Sequence, residues 1–218
     1  MAAAFEHTVT STDELYELYR RPHPALAAKK RPEIDPASAA FIGASPFLLV
    51  ATVGADGSVD VSPRGGDAGF VHVTSRADGD YVLIPDLNGN NLLDSLQGVV
   101  TNGQAGLIFL IPGKDDTLRV NGAAWIVTDA DVLDSFTDLR RPKAAIAVRA
   151  DEVFVHCAKA FRRSRLWDTA TWAGYTEAPG LEQIACAQGL FGDAVDPALV
   201  KADLEASYAV DLAADRPD

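Results

Sequence analysis

Residues 105–128, AGLIFLIPGKDDTLRVNGAAWIVT, hold the clearest structural pattern in the chain. Ala105 to Ile111 is an unbroken apolar run of strand length, and Pro112-Gly113-Lys114-Asp115 turns the chain. Thr117 to Thr128 then alternates, with Leu118, Val120, Ala124 and Ile126 on one face. Two long antiparallel strands follow from that pattern. Working outward toward the N-terminus, Phe47 to Val53 is a second compact apolar run. Ala55-Asp56-Gly57 forms a tight turn after it, and Ser58 to Ser62 resumes in extended alternation, which predicts a hairpin. FVHVT (70–74) and DYVLIP (80–85) add two strands separated by the turn-rich SRADGD segment. On the C-terminal side, Lys143 to Cys157 is extended with an interruption at Arg149-Ala150-Asp151, which reads as a bulge.

Helix signals fall between and around these strands. Ser11 and Glu14 make a capping box ahead of an apolar stripe of Leu15, Leu18 and Tyr19, and Pro22 ends that helix. Asp35 and Pro36 open a second helix that runs to about Gly43. Leu92, Leu93, Leu96, Val99 and Val100 recur at helical spacing, with Asn91 and Asp94 placed to cap the first turn. A short helix over 129–140 would turn Val132, Leu133 and Phe136 inward. Asp196-Pro197 opens a last helix carrying Leu199, Val200, Leu204 and Tyr208, and the acidic end DLAADRPD reads as frayed. Six to eight strands with hairpin signals and a few helices predict a mostly β fold, an antiparallel barrel with peripheral α-helices.

At 218 residues the chain has room for one sizeable core. We therefore expect a single domain over 1–218, with an N-terminal helical extension over 1–40 and a C-terminal helix and tail over 190–218. Hydrophobic residues at 48% and charged residues at 23% are globular proportions. A formal net charge of -12 repels phosphate backbones and anionic lipid, so neither nucleic acid nor membrane is an expected partner. No apolar run approaches the ~20 residues of a membrane helix, and MAAAFEHTVTSTDE lacks the basic and apolar regions of an export signal. A cytoplasmic protein is expected. Cys157 and Cys186 make neither a disulfide framework nor a zinc spacing, and both are expected to behave as buried small hydrophobes.

Four segments in order, DVSPRGGDAGF (60–70), LIPDLNGNNLLDSL (83–96), GLIFLIPGKDDTLRVNGAA (106–124) and VFVHCAKAFRRSRLW (153–167), resemble the pyridoxamine 5'-phosphate oxidase-like FMN-binding split barrels. More narrowly they are similar to an uncharacterised bacterial subfamily with an SPRGGD turn, an IPD strand end, a G-N-N loop and a C-A-K-x-x-x-R-S-x-L-W stretch. The resemblance covers about residues 40 to 190. It implies a Greek-key split β-barrel, a homodimer with flavin sites between protomers, FMN as cofactor, and a small-molecule redox substrate. It leaves the reaction open, since the same barrel supports oxidases, reductases, haem-degrading proteins and deazaflavin users. An FMN-dependent oxidoreductase is the favoured reading; a non-catalytic flavin or haem binder or sensor, and a deazaflavin-dependent reductase, are the alternatives.

The resemblance also points to individual residues. Ser62-Pro63-Arg64-Gly65-Gly66 supplies an arginine fork on a small-residue turn, suited to a phosphate, or else an ordinary turn with a solvated arginine. Asn90 and Asn91 precede a helix whose first N–H groups attract anions, or they simply cap it. Ile84-Pro85-Asp86 is similar to the stretch along the isoalloxazine edge, met through its backbone. Thr117 falls near a flavin-contacting position, and Arg119 could place charge near the pyrimidine end or sit in a surface ion pair. Lys159, Arg162, Arg163 and Arg165 read as the one concentrated basic patch, a lid over an anionic ligand with Trp167 closing it, or a solvated face. In the subfamily an arginine follows the two asparagines; Leu92 stands there in this chain, so that contact is lost or passes to Arg64.

Overall, the expected cofactor set is Ser62, Arg64, Gly65, Ile84, Pro85, Asp86, Asn90, Asn91, Thr117, Arg165 and Trp167. Strand alternation sends His156 and Cys157 to opposite faces, so no metal site is expected, and His72 reads as structural. No catalytic acid, base or nucleophile is assigned, and there is no Ser-His-Asp arrangement, Walker A loop or Rossmann fingerprint.

Overall fold

A computed structural model describes residues 5–24, 28–192 and 195–217. Eight strands form the body: β1 Phe47–Val53, β2 Val59–Gly65, β3 His72–Arg76, β4 Gly79–Pro85, β5 Gln104–Leu110, β6 Thr117–Val127, β7 Ala145–Arg149 and β8 Glu152–His156. Every ladder is antiparallel. The order β2-β1-β5-β6-β7-β4-β3 places β1 beside β5 and β4 beside β7, the non-sequential neighbours that Greek-key connections produce. This is the split barrel: mostly β, with helices outside it.

The β5–β6 hairpin forms as its sequence indicates, with Leu107 opposite Val120 and Phe109 opposite Leu118. β6 is the strand on which the two halves of the barrel meet. Its first part, Thr117 to Asn121, pairs with β8, and its last part, Ala124 to Val127, pairs with β7. Arg149-Ala150-Asp151 is therefore not a bulge inside one strand; it is the crossing at which the chain leaves one half for the other. The crossing passes over Gly122, where a Cβ would stand 1.8 Å from the Arg149 carbonyl oxygen. The Asp151 N–H donates to the Asn121 carbonyl at 3.1 Å, and the Asp151 carboxylate accepts from the Ala123 N–H at 3.0 Å, pinning the crossing on both sides of the glycine.

Leu48, Val50, Leu107, Phe109 and Val120 fill the barrel interior without exposure. A smaller cluster of Leu83, Val132, Leu133 and Phe136 lies outside it. The expected 129–140 helix is only the single turn Ala130–Leu133, yet its three apolar residues are buried as predicted. The Thr12–Leu18 helix (α1) is capped by Ser11, and Asp35 caps the Pro36–Ala44 helix (α2). Neither cysteine is buried: Cys157 is exposed and Cys186 half-buried, because β8 ends at His156 before Cys157 can enter the core. The C-terminal region holds helices Lys159–Ser164, Leu181–Ala187 and Pro197–Ala214, here α5, α6 and α7, after α3 (Asp94–Asn102) and α4 (Ala130–Leu133). The acidic end is helical through Ala214 rather than frayed from 211, because Asp215 is hydrogen-bonded to the body. No helix among the described residues is long and apolar enough to cross a membrane.

The chain leaves much apolar surface uncovered. Val59 and Val61 on the outer face of edge strand β2 are 71% and 57% exposed. Leu18 at the end of α1, Tyr19 just after it, and Leu199, Val210 and Leu212 on α7 are also exposed.

Candidate functional site

Ser62 to Gly65, expected as a turn, is the last part of β2. Pro63 is tolerated there because β2 is an edge strand. Strand alternation then sets Asp60, Ser62 and Arg64 on one face and Val59, Val61 and Pro63 on the other, as the burial alternation confirms. The Asp60 carboxylate accepts from the Ser62 hydroxyl at 3.0 Å and from the Ser95 hydroxyl of α3 at 2.6 Å, so this face is tied to the first turn of the helix. Asp60 and Ser95 escaped the sequence reading; the alternation over Ser58 to Ser62 could have supplied Asp60, while Ser95 comes through a tertiary contact.

Arg64 stands beside Ser62 with its Nε buried and without a hydrogen-bond partner. Among the described residues its one hydrogen bond is a long one, Nη1 donating to the Pro63 carbonyl at 3.4 Å. A buried guanidinium nitrogen left unpaired is costly, which makes it a position that invites an acceptor. Opposite it runs the loop from Asp86 to Leu93. The asparagines do not cap α3 as expected: Leu93 is its N-cap residue, in the left-handed region at φ 60°, and no side chain caps the first amides. Asn90 instead accepts from the Leu92 N–H at 3.1 Å, closing the loop on itself, and Asn91 is left-handed at φ 57°. Asn91, Leu93 and Arg165 are the non-glycine residues with positive φ among the described residues, and all three lie in segments singled out for the cofactor. Such strain persists where surrounding structure imposes it, and it gathers at binding sites.

Strand β2, the loop and the start of α3 enclose a cavity of about 130 Å³ lined by Ser62, Arg64, Asn90, Asn91 and Ser95. An adjoining cavity of about 330 Å³ is lined by Gly65, Phe70, Pro85 and Asp86. On the far side of the loop a third, of about 410 Å³, is bounded by Arg140, Arg141, Lys143 and Asp215. The 159–165 segment is thus not the single basic concentration; Arg140-Arg141-Pro142-Lys143 is another, legible in the sequence but passed over there. Burial pushes the Asp86 carboxyl above its ordinary value, against the pull of Arg64 and Lys143 and with a push from Asp215. Because the folded protein favours the protonated form, ionising Asp86 works against folding at neutral pH. Asp86→Asn is expected to raise Tm at pH 7, with the gain fading as pH falls through the carboxylate range and the native side chain takes up its proton. Melting curves from pH 3 to 8 check this; an Asn variant less stable at pH 7 would remove the assignment.

Ile84 is wholly buried in the core, so only its backbone, laddered to Ile146, borders this region. Ser62, Arg64, Gly65, Pro85, Asp86, Asn90 and Asn91 are brought together. Thr117, Arg165 and Trp167 are not with them. Arg64 lies opposite Leu48, Leu48 opposite Phe109 and Phe109 opposite Leu118, so Thr117 faces the other side of the sheet. Trp167 donates its indole N–H to the Lys114 carbonyl at 2.8 Å and stacks on Phe161, and Arg162 pairs with Asp115 at 3.1 Å. These contacts dock the 159–167 segment on the β5–β6 turn, beside Thr117. Arg165 forms a surface pair with Asp168. Arg119, on the Thr117 face, lies 5.1 Å from the Phe154 ring with its own Nε buried and unpaired. His72 stacks on Phe136 at 4.5 Å, outside the candidate site.

A family profile described as pyridoxamine 5'-phosphate oxidase matches residues 34–158, more than half of the chain. No curated protein sequence matches it. Among solved structures, HupZ of Group A Streptococcus is 17% identical, with 56% of this chain and 93% of that one covered and a TM-score of 0.45. HutZ of Vibrio cholerae, described as a heme storage protein, is 16% identical, with 57% and 94% covered and a TM-score of 0.36. General Stress Protein 26 of Bacillus anthracis is 15% identical, with 53% and 88% covered and a TM-score of 0.37. Likenesses this distant carry no argument about chemistry.

Proposed function

Since the chain belongs to the pyridoxamine 5'-phosphate oxidase family through residues 34–158, we propose that it is an FMN-binding flavoprotein that oxidises or reduces a small molecule. The observation that carries this reading is the buried, unpaired Nε of Arg64 in a cavity that also receives the uncapped start of α3. An arginine fork and free helix amides together suit a phosphate monoester. Arg64 would hold the phosphate, with Ser62 and the backbone of Asn90 and Asn91 around it. The 84–86 strand end and Gly65 would border the ring, where Pro85 and Phe70 exclude water.

Bound FMN would supply the hydride chemistry itself. The protein's own part is orientation and charge. Asp86 is the titratable group at the proposed ring edge, and burial there raises its carboxyl above the ordinary value. Thr117, Arg165 and Trp167, on the other side of the sheet, fit a second role: contacts from one protomer to the flavin of its partner. A homodimer would also offer cover for the exposed Val59, Val61 and α7 side chains.

Protein purified without added cofactor tests the proposal. Its absorption spectrum is expected to show the two bands of oxidised flavin, one flavin per chain, and light scattering is expected to give a dimer. A haem Soret band or deazaflavin fluorescence would replace FMN by another ligand, and a monomer holding stoichiometric FMN would remove the shared site.

A further inference from the structure

The C-terminal helix α7 makes few attachments to the rest of the chain. Val200 near its start is its one buried residue. At the other end Asp215 reaches the loop that walls the Arg64 cavity: the backbone N–H and the side-chain Nδ2 of Asn88 both donate to its Oδ1, at 3.0 and 2.8 Å. The Asp215 carbonyl in turn accepts from the Arg140 N–H at 2.9 Å. One residue therefore joins the chain's end to the Asp86–Leu93 loop and to the segment below it. The loop needs such a tie. Two of its residues are left-handed, and the Asn90 hydrogen bond closes it only locally.

We propose that Asp215 is a positioning residue: α7 is a strap that holds the 86–93 loop in its strained, ligand-ready form, and the strap acts through the Asp215–Asn88 contact. The inference rests on the FMN reading for its ligand, though not for the contact itself. Two hydrogen bonds to a carboxylate are enough to shift a loop equilibrium by about tenfold. Asp215 is an anion on the far side of the loop from the proposed phosphate, so holding the loop and acting on the ligand by charge are separable roles.

Two full-length variants separate them. Asp215→Ala removes the acceptor; Asp215→Asn keeps an acceptor oxygen and removes the charge. In apoprotein, amide hydrogen exchange of the 86–93 peptide is expected to accelerate about tenfold in Asp215→Ala and to stay near native in Asp215→Asn, with the β5 peptide unchanged in both. By fluorescence quenching, Asp215→Ala is expected to bind FMN about tenfold more weakly with riboflavin little affected, and Asp215→Asn to bind FMN as well as native or better. Native exchange in the Ala variant, or equal acceleration in β5, would overturn the strap. Tighter FMN binding in both variants would also overturn it, reducing Asp215 to a repelling charge. If the loop loosens in the Ala variant while Arg64→Ala leaves FMN affinity untouched, the strap stands and the phosphate assignment falls.

Discussion

Arg64→Ala is expected to weaken FMN binding by roughly 30- to 1000-fold while riboflavin affinity scarcely changes. The reason is the position of the guanidinium, on edge strand β2 with its Nε buried and unpaired, across a cavity from the uncapped start of α3. Removing one bidentate, partly desolvated charge pair costs about 2 to 4 kcal/mol, and riboflavin has no phosphate to lose. Arg64→Lys should recover only part of the loss, since an ammonium restores charge without the planar fork. Titration of apoprotein with both flavins supplies the comparison. Equal losses would move Arg64 to the ring or to general stability; no loss would leave it a solvated strand arginine.

Gly122→Ala is expected to remove a large share of the stability of the fold. Its Cβ would meet the Arg149 carbonyl oxygen at 1.8 Å and the Asp151 nitrogen at 3.0 Å, both backbone atoms held by hydrogen bonds on either side. Neither can step aside without parting β7 or β8 from β6. Overpacking usually costs 1–3 kcal/mol, and an obstructed backbone crossing belongs at or above about 3 kcal/mol, against a total of about 5–15 kcal/mol. Gly43→Ala, where nothing stands within 4 Å, is the control and should be neutral or slightly stabilising. Urea unfolding of the pair reads the difference; a Gly122 variant with a native midpoint would mean the crossing is looser than the geometry indicates.

These two residues also mark how far the sequence could be read. Arg64 was legible because it stands in an ordered set of local motifs, and local alternation gave β5 and β6 their faces. The role of Gly122 was hidden, since what lies over it is contributed by Arg149 and Asp151, and no pattern within 117–128 announces a visitor from elsewhere. The asparagine caps were misread for a related reason. Asn91 and Asp94 have cap chemistry, but the tertiary tie to β2 through Ser95 and Asp60 sets where α3 begins, and Leu93 takes the cap position at a conformational cost. Asp215 lay at an end that composition alone marks as loose, and the contact with Asn88 is a property of the folded chain.

The strand order has one more outcome. Leu49 on β1 meets Ile108 on β5, and Tyr81 on β4 meets Arg149 on β7, so two of the central ladders wait for strands made much later. During synthesis the first hairpin emerges from the ribosome before β5, the neighbour that β1 will take, and its inner face is bare until then. Chains with such long-range pairing fold slowly and are prone to stick to one another meanwhile. The acidic excess, which reaches -12 over all 218 residues, is already present in the part of the chain made before β6 and holds unfinished barrels apart there.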